Sequence, residues 1–496
     1  MKRLNRSIHP AAASAANLPE RVLQFGEGNF LRGFVDWMIH RLNVAGKFNG
    51  RVVAVQPIAQ GLAEKLNEQE GIYTLLLRGV ENGRAVDHRE VLTAISRALN
   101  PYTQFDQFLA VARNPIIRYI VSNTTEAGIV FNPADRFDDR PQASFPGKLT
   151  RFLFERYEKL GRQTAPGFLV LPCELIERNG DNLQLTVRQT AEAWKLPPAF
   201  LGWLDSANTF ANTLVDRIVT GHPATEMPRL RDELGYEDPL LVAAEPFHFW
   251  VIETDPKFAE DLPFADVGLI VVWTTDMTPY RQRKVRILNG AHTMTVPAAF
   301  LAGKDTVGEC MSDATVRRFL ERGLYEEVIP TLDLPREELE RFAAAVLERF
   351  ANPHVRHELL SITLNSVSKV KARIVPSLLE FVRRKGGIPR RIAFSLAGLI
   401  AFYRGVEIRE GSTYGRRDGK PYPIRDETTV VDAFREAWST CDGSDGACRT
   451  LAGRVLARVD WWGDDLSRIP GLTDAVASGL VRILRDGAGR AIAEVA

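Results

Sequence analysis

Arg21-Val-Leu-Gln-Phe25-Gly26-Glu-Gly28-Asn29-Phe30-Leu-Arg32-Gly33 runs from an apolar, strand-like stretch straight into a glycine-rich turn, and an amphipathic helix through about Leu42 follows. Strand, glycine turn and helix in that order is the layout in which backbone N–H groups approach a pyrophosphate at a helix N-terminus. Gly26 and Gly28 keep the usual spacing, whereas the third position of G-x-G-x-x-G is Leu31 and Gly33 comes two places late. An ordinary turn also fits that pattern. Its place at the first strand–helix junction is what favours a doubly wound α/β domain.

Working outward, Arg51 to Gln56 reads as a second strand at the right distance for a βαβ unit. Gln56 stands where an acidic residue would meet the adenosine ribose, so this position leaves NAD against NADP open. Residues 73–92 read as a hairpin turning at Asn82-Gly83. Ile116 to Val121 is a near-continuous apolar strand of the kind buried in a parallel sheet, and it ends in Ser122-Asn123-Thr124-Thr125-Glu126-Ala-Gly128. That end is either a ligand-binding edge or a plain polar loop. Another strand, Gly167 to Pro172, leads into Cys173-Glu-Leu-Ile-Glu-Arg-Asn179, where Asn179 is a helix cap or a substrate donor.

Trp194 to Asp232 reads as helical, with Asp216 and Arg217 paired, and strands are expected at 240–244, 249–253 and 267–273. Beyond about residue 300 helical periodicity takes over, over 315–325, 336–351, 357–367 and 392–405, with a surface loop at 411–427. The expectation is an α/β protein: an N-terminal Rossmann-type doubly wound sheet domain over residues 1–277, then a mostly α-helical C-terminal domain over 278–496.

At that junction stands Lys284-Val-Arg-Ile-Leu-Asn289-Gly-Ala-His292, read as helix. At about 100° per residue, Asn289 is roughly 140° and His292 roughly 80° round from Lys284, so the three polar groups share a face. Such a face suits redox chemistry on an alcohol: an amine to take the hydroxyl proton, a carboxamide to donate to the developing oxyanion, an imidazole to hold a neighbouring hydroxyl. A solvated lysine, a surface asparagine and a core histidine make the plainer alternative. Arg349 and the stretch Asn365 to Arg373, including Lys369, supply cations for a carboxylate or for a solvated helix face. His354-x-x-His357-Glu358 lacks a spaced partner motif, so no metal is expected.

Among 496 residues, Lys+Arg 63 against Asp+Glu 62 leave no field that would draw nucleic acid or anionic membrane, and a small molecule is the expected partner. Cys173, Cys310, Cys441 and Cys448 show no Cys-x-x-Cys spacing; reduced thiols are the default, with a Cys441–Cys448 bridge conceivable in a glycine-rich loop. The N-terminus has basic residues without an apolar signal region, and the longest apolar block, Ile392 to Tyr403, is too short to span a bilayer. A cytoplasmic location is therefore expected.

Gly26-x-Gly28-Asn29-Phe30-x-Arg32, Asn123-Thr124-Thr125-Glu126 and Lys284-x4-Asn289-x2-His292 agree in order and spacing, and together the chain resembles the polyol-specific long-chain dehydrogenase/reductase family, which includes the mannitol dehydrogenases. The resemblance implies a metal-independent, NAD-linked oxidoreductase whose Rossmann domain holds NAD through the first two motifs. It also implies Lys284 as catalytic base, Asn289 at the oxyanion and His292 as a substrate-positioning group. Within the family, Val55-Gln56-Pro57, Pro172 to Ile176, Leu364-Asn-Ser366 with Lys369, and Phe394 to Ile400 are most similar to a branch acting on sugar acids of hexuronate breakdown. Mannitol-type enzymes carry Cys-Asp-Asn where this chain has Cys173-Glu174-Leu175, which leaves Asn179 as a candidate replacement for their second oxyanion donor. Their substrate arginine falls on Ser361. On chemical grounds alone, Arg373 is the candidate for the substrate carboxylate. Branches acting on a related uronate or on a hexitol, and a non-catalytic sensor of sugar acids or dinucleotides, stand as alternatives.

Overall fold

The computed structural model describes residues 2–9, 12, 15–81, 83–125, 127–409 and 411–496, so Asn82 of the expected turn and Glu126 of the expected cofactor motif lie outside the described residues. The chain divides into two compact units, Met1–Gly79 with Ala85–Met277, and Thr278–Ala496 with the hairpin tip Val80–Arg84.

The strands in chain order are β1 (Glu20–Phe25), β2 (Arg51–Val55), β3 (Tyr73–Glu81), β4 (Arg84–Leu92), β5 (Ile95–Leu99), β6 (Tyr119–Ser122), β7 (Leu169–Pro172), β8 (Thr209–Phe210), β9 (Asn212–Asp216), β10 (Val219–Gly221), β11 (Val242–Ala244), β12 (Phe249–Glu253) and β13 (Val271–Thr274). Six of them form one parallel sheet in the order β5-β2-β1-β6-β7-β8. Numbered by their succession in the chain, these six run 3-2-1-4-5-6, the order of a dinucleotide-binding doubly wound fold, with its switch point between β1 and β6. The Rossmann-type reading therefore holds.

The period of two along each strand divides the core. Val22, Val52, Ala54, Val121 and Leu171 face one side, where Val35, Trp37, Met38 and Leu42 of the helix Val35–Val44 cover them. Leu23, Phe25, Val53, Val55, Ile120 and Val170 face the other, under Phe105 and Phe108 of the helix Pro101–Ala112 and Leu149, Phe152 and Leu153 of the helix Phe145–Lys159. Strands buried on both faces read as continuous apolar runs, which is why β2 and β6 were legible.

Residues 209–221, expected as helix, are instead the short strands β8 to β10. Asn212-Thr-Leu-Val-Asp216 pairs antiparallel with β12, and a partner strand overrides weak helical periodicity.

The second unit is mostly helical. Its helix Arg390–Phe402 is buried from Arg391 to Phe402, and it meets the helix Gly290–Leu301 at Gly398, where a Cβ would stand only 3.0 Å from Ala298 Cβ. Glycine there sets how closely the two helices pack. The segment expected as one helix over 357–367 is broken: a short turn Leu359–Ile362, then Asn365 at φ +52°, then the helix Ser366–Arg373. The expected surface loop at 411–427 contains most of a three-stranded ribbon, Glu407–Arg409, Ser412–Arg417 and Lys420–Pro423.

The junction motif departs from ordinary helix. Thr278–Arg283 is α-helical, Lys284–Asn289 is a π-helix, and Gly290–Leu301 is α-helical again. With i→i+5 hydrogen bonding, Asn289 comes round about one full turn from Lys284 rather than roughly 140° away, so the angular spacing expected from an α-helix is corrected.

Candidate active site

In the first unit, β1 leaves the sheet through Gly26, whose φ is +115°; a Cβ there would stand 2.9 Å from the carbonyl oxygen of Asn123. Glycine is what lets the turns after β1 and β6 meet at the switch point. Gly28 and Asn29 are exposed and Phe30 half-buried, and nothing lies within 4 Å of where a Gly28 Cβ would be. Gly28 opens the turn Asn29–Arg32, the place at which a dinucleotide-binding fold holds a pyrophosphate. Beneath it, Gln24 Nε2 donates to the Gly26 carbonyl at 3.0 Å and to Asp36 Oδ2 at 3.2 Å. Burial pushes the Asp36 carboxyl up to about 7.

Two residues expected at the cofactor face inward instead. Arg32 is buried and donates to the carbonyls of Glu27, at 3.1 Å, and of Leu240, and to Asn29 Oδ1 at 2.8 Å; it braces the glycine turn from behind. Gln56, also buried, spends its amide on the carbonyls of Ile58 and Ala59 at 2.9 and 2.8 Å and shapes the loop after β2.

After β6, Asn123 donates to the carbonyl of Cys173 at 2.8 Å. Glu174 gathers the rest of this edge: its Oε1 accepts from the Thr124 N–H and hydroxyl, both at 3.0 Å, and its Oε2 accepts from the Ser122 hydroxyl at 3.0 Å. Burial raises the Glu174 carboxyl despite those donors. Thr125 is exposed at φ +96°, a strained conformation for a β-branched residue. Asn123, Thr125, Ala127, Glu174 and Leu175 line a cleft of ≈ 420 Å³.

Asn179 is neither cap nor substrate donor. Its side chain is fully buried; Nδ2 donates to the carbonyls of Pro172 (2.9 Å), Glu174 (3.1 Å) and Thr213 (3.1 Å), while Oδ1 accepts from the Thr213 N–H at 2.8 Å. With both polar atoms committed, it locks β7 to β9.

The second unit assembles the other candidates. Along the junction helix, Arg283, Arg286, Ile287, Gly290 and Ala291 are buried, and Lys284, Val285, Leu288, Asn289 and His292 form a half-buried stripe. Arg286 anchors the π-turn by donating to Ser377 Oγ and Thr331 Oγ1, both at 2.7 Å. His292 stacks on Phe350 with ring centres 4.0 Å apart and meets His357 edge-on at 5.1 Å. Burial depresses the His292 imidazole well below its ordinary value, and the positive fields of His357, Arg373, Arg349 and Lys369 add to the effect. It is a neutral hydrogen-bonding ring near pH 7.

Arg373 donates to Thr293 Oγ1 at 3.2 Å, and that hydroxyl donates to the Asn289 carbonyl at 3.0 Å, so the guanidinium is tied to the turn that carries Asn289. Lys369 Nζ donates to the Ile362 carbonyl at 2.9 Å. Burial lowers both cations, and in Lys369 the neighbouring Arg373 adds to it while Asp426 opposes. Among the described residues no carboxylate lies within ion-pair distance of Lys369 or Arg373. The hydroxyl of Ser361 is spent on the Glu358 carbonyl at 2.7 Å.

Sequence reasoning did not single out Glu174, Phe350 or Thr293 for a site, and it weighed His357 only as part of a metal spacing. Among the described residues no group of three or more His, Cys, Asp or Glu is placed to hold a metal ion, and no helix is long and apolar enough to cross a membrane.

Replacing Asn179 by Ala strips the donors from buried carbonyls, and it lowers stability by about 1–3 kcal/mol with little change in KM for any sugar substrate. Urea unfolding beside steady-state kinetics checks this; a raised KM at unchanged stability contradicts the structural role.

Residues 20–265 match the Mannitol dehydrogenase Rossmann domain and residues 276–484 the Mannitol dehydrogenase C-terminal domain. The chain is 46% identical over 493 residues to the altronate oxidoreductase of Escherichia coli O139:H28 (strain E24377A / ETEC), covering 99% of each, and equally to that of Escherichia coli O9:H4 (strain HS). Among solved structures it is similar to D-sorbitol dehydrogenase in substrate-free form, with TM-score 0.77 and 22% identity over 99% of this chain and 100% of that one. It is also similar to Pseudomonas fluorescens mannitol 2-dehydrogenase in ternary complex with NAD and D-mannitol, with TM-score 0.66 and 20% identity over 99% of each. The chain belongs to the mannitol dehydrogenase family.

Proposed function

We propose that this chain, like the Escherichia coli relatives named altronate oxidoreductase, acts on D-altronate, and that its reaction is the NAD-linked interconversion of D-altronate and D-tagaturonate. Full-length similarity to those relatives supports it. The observation that carries it is the pair Lys369 and Arg373, half-buried beside His292 and Asn289, with no carboxylate among the described residues within ion-pair distance of either. Asp426 acts on Lys369 without forming an ion pair, so these partly desolvated cations remain costly, and a substrate carboxylate offsets that cost. A sugar acid has that carboxylate; a hexitol does not.

In this reading residues 1–277 form the NAD-binding domain and residues 278–496 the substrate domain, in the cytoplasm. Gly26, Gly28, Asn29 and Phe30 line the pyrophosphate turn, and Asn123, Thr124 and Thr125 the edge after β6. NAD, when bound, supplies or accepts the hydride. Lys284 in its ammonium form gives the proton to the ketone oxygen during reduction and as a neutral amine takes it back during oxidation. Asn289 donates to the developing oxyanion, an interaction typically worth about 3 kcal/mol of barrier. Neutral His292, fixed by stacking on Phe350, holds an adjacent hydroxyl. Arg373 and Lys369 take the carboxylate, Arg373 through its two-pronged fork.

Because an amine accepts a proton only when neutral, altronate oxidation rises with pH. Lys284→Ala lowers turnover by about 10²–10⁴-fold, the usual worth of acid–base catalysis, while NADH binding by fluorescence stays near that of the parent; near-normal turnover overturns the assignment. Arg373→Met raises KM for the sugar acid by about tenfold or more, as expected for a lost charged hydrogen bond, and leaves KM for a neutral ketose unchanged. Equal effects on both substrates would place the carboxylate elsewhere.

A further inference from the structure

Cys441 and Cys448 lie apart from every group used above. Cys441 lies just past the end of the helix Thr428–Ser439, and Cys448 is in the first turn of the helix Asp445–Leu456. Both thiols are free, and their sulfurs are 3.9 Å apart. Each cysteine is tied to its own side of the turn: the Cys441 N–H donates to the Trp438 carbonyl at 3.0 Å and the Cys448 N–H to the Ser444 carbonyl at 2.9 Å. Between them Gly443 is at φ +90°, and nothing lies within 4 Å of where a Cβ would be at Gly443 or Gly446.

We propose that Cys441 and Cys448 are a modification site, a dithiol that a hydroperoxide closes into a reversible disulfide stapling these two helices. The gap from 3.9 Å to a bond of about 2.05 Å is closed by side-chain rotation and yielding of the turn at Gly443, where nothing lies within 4 Å of a Cβ position. Cys441 reacts first. It is half-buried, whereas Cys173, Cys310 and Cys448 are buried, and burial pushes the Cys310 and Cys448 thiols up to about 12.

The chemistry balances with the peroxide as oxidant. The Cys441 thiolate attacks one peroxide oxygen, the O–O bond breaks, and the other oxygen leaves as water or alcohol, giving a sulfenic acid on Cys441. The Cys448 sulfur then attacks the Cys441 sulfur. Its proton leaves with the displaced hydroxide as a second molecule of water. The two sulfurs together lose two electrons and the peroxide gains two.

The test treats the reduced full-length protein with hydrogen peroxide at a small molar excess, then maps peptides without reduction. The expected result is a peptide species lighter by about 2 Da that links Cys441 to Cys448 and returns to the dithiol with dithiothreitol, together with a Tm of the oxidised protein raised by about 2 degrees because the crosslink constrains the unfolded chain. Cys441→Ser and, separately, Cys448→Ala abolish the species and the shift; Cys441→Ser, at the half-buried thiol, guards against loss of fold on replacing the buried one. Over-oxidation of Cys441 to sulfinic acid with no crosslinked peptide overturns the proposal. So does a crosslink that survives either substitution, or one that leaves Tm where it was.

Discussion

Two cations are held together, partly out of water, around a ring that stays neutral. Lys369 and Arg373 lie one helical turn apart on the helix Ser366–Arg373, and their charges, with those of Arg349 and His357, act on His292. Like charges at that spacing repel, and desolvation adds to the cost. Asp426 offsets part of the Lys369 charge without an ion pair to it, and in the proposed function a substrate carboxylate offsets more. Around them the imidazole of His292 stays neutral, and the Arg373 guanidinium is tied through Thr293 to the same turn as Asn289, so the carboxylate and oxyanion contacts proposed above share one support.

That support is itself unusual. The π-turn Lys284–Asn289 brings Asn289 round over Lys284, which an α-helix would place well to one side. Its poorer hydrogen bonding is offset by burial of Arg283, Arg286 and Ile287 on the far side and by the bonds from Arg286 to Ser377 and Thr331. A π-turn beneath a polar stripe is a recurrent mark of functional helices. In the first unit the comparable feature is the meeting of Gly26 with the Asn123 carbonyl, which fixes the switch point while Arg32 braces the glycine turn from behind.

What the sequence disclosed was local. Strand, glycine turn and helix over Arg21 to Leu42, and the apolar runs of β2, β6 and β7, could be read because their signals lie within a few residues, and sheet order confirmed the fold they imply. What it did not disclose was set at a distance. Arg32 turns inward because the Leu240 carbonyl receives it, Asn179 because Thr213 does, and β9 is a strand because β12 pairs with it. Nothing in Cys173-Glu174-Leu175 shows that the carboxylate would organise Ser122 and Thr124, nor does His354-x-x-His357 show that His357 would meet His292. The ribbon within 407–423 was read in part as loop because its glycines and charges outweigh its short alternation.

In the proposed function, Lys369 and Arg373 select a keto acid. The decisive measurement offers D-tagaturonate, D-fructuronate and D-fructose in parallel at equal concentration and follows NADH oxidation, with NADPH as control. Recognition of a carboxylate by these cations requires fast turnover of D-tagaturonate and little of D-fructose. Preference for D-fructose would contradict it, because a neutral ketose gains nothing from Lys369 and Arg373.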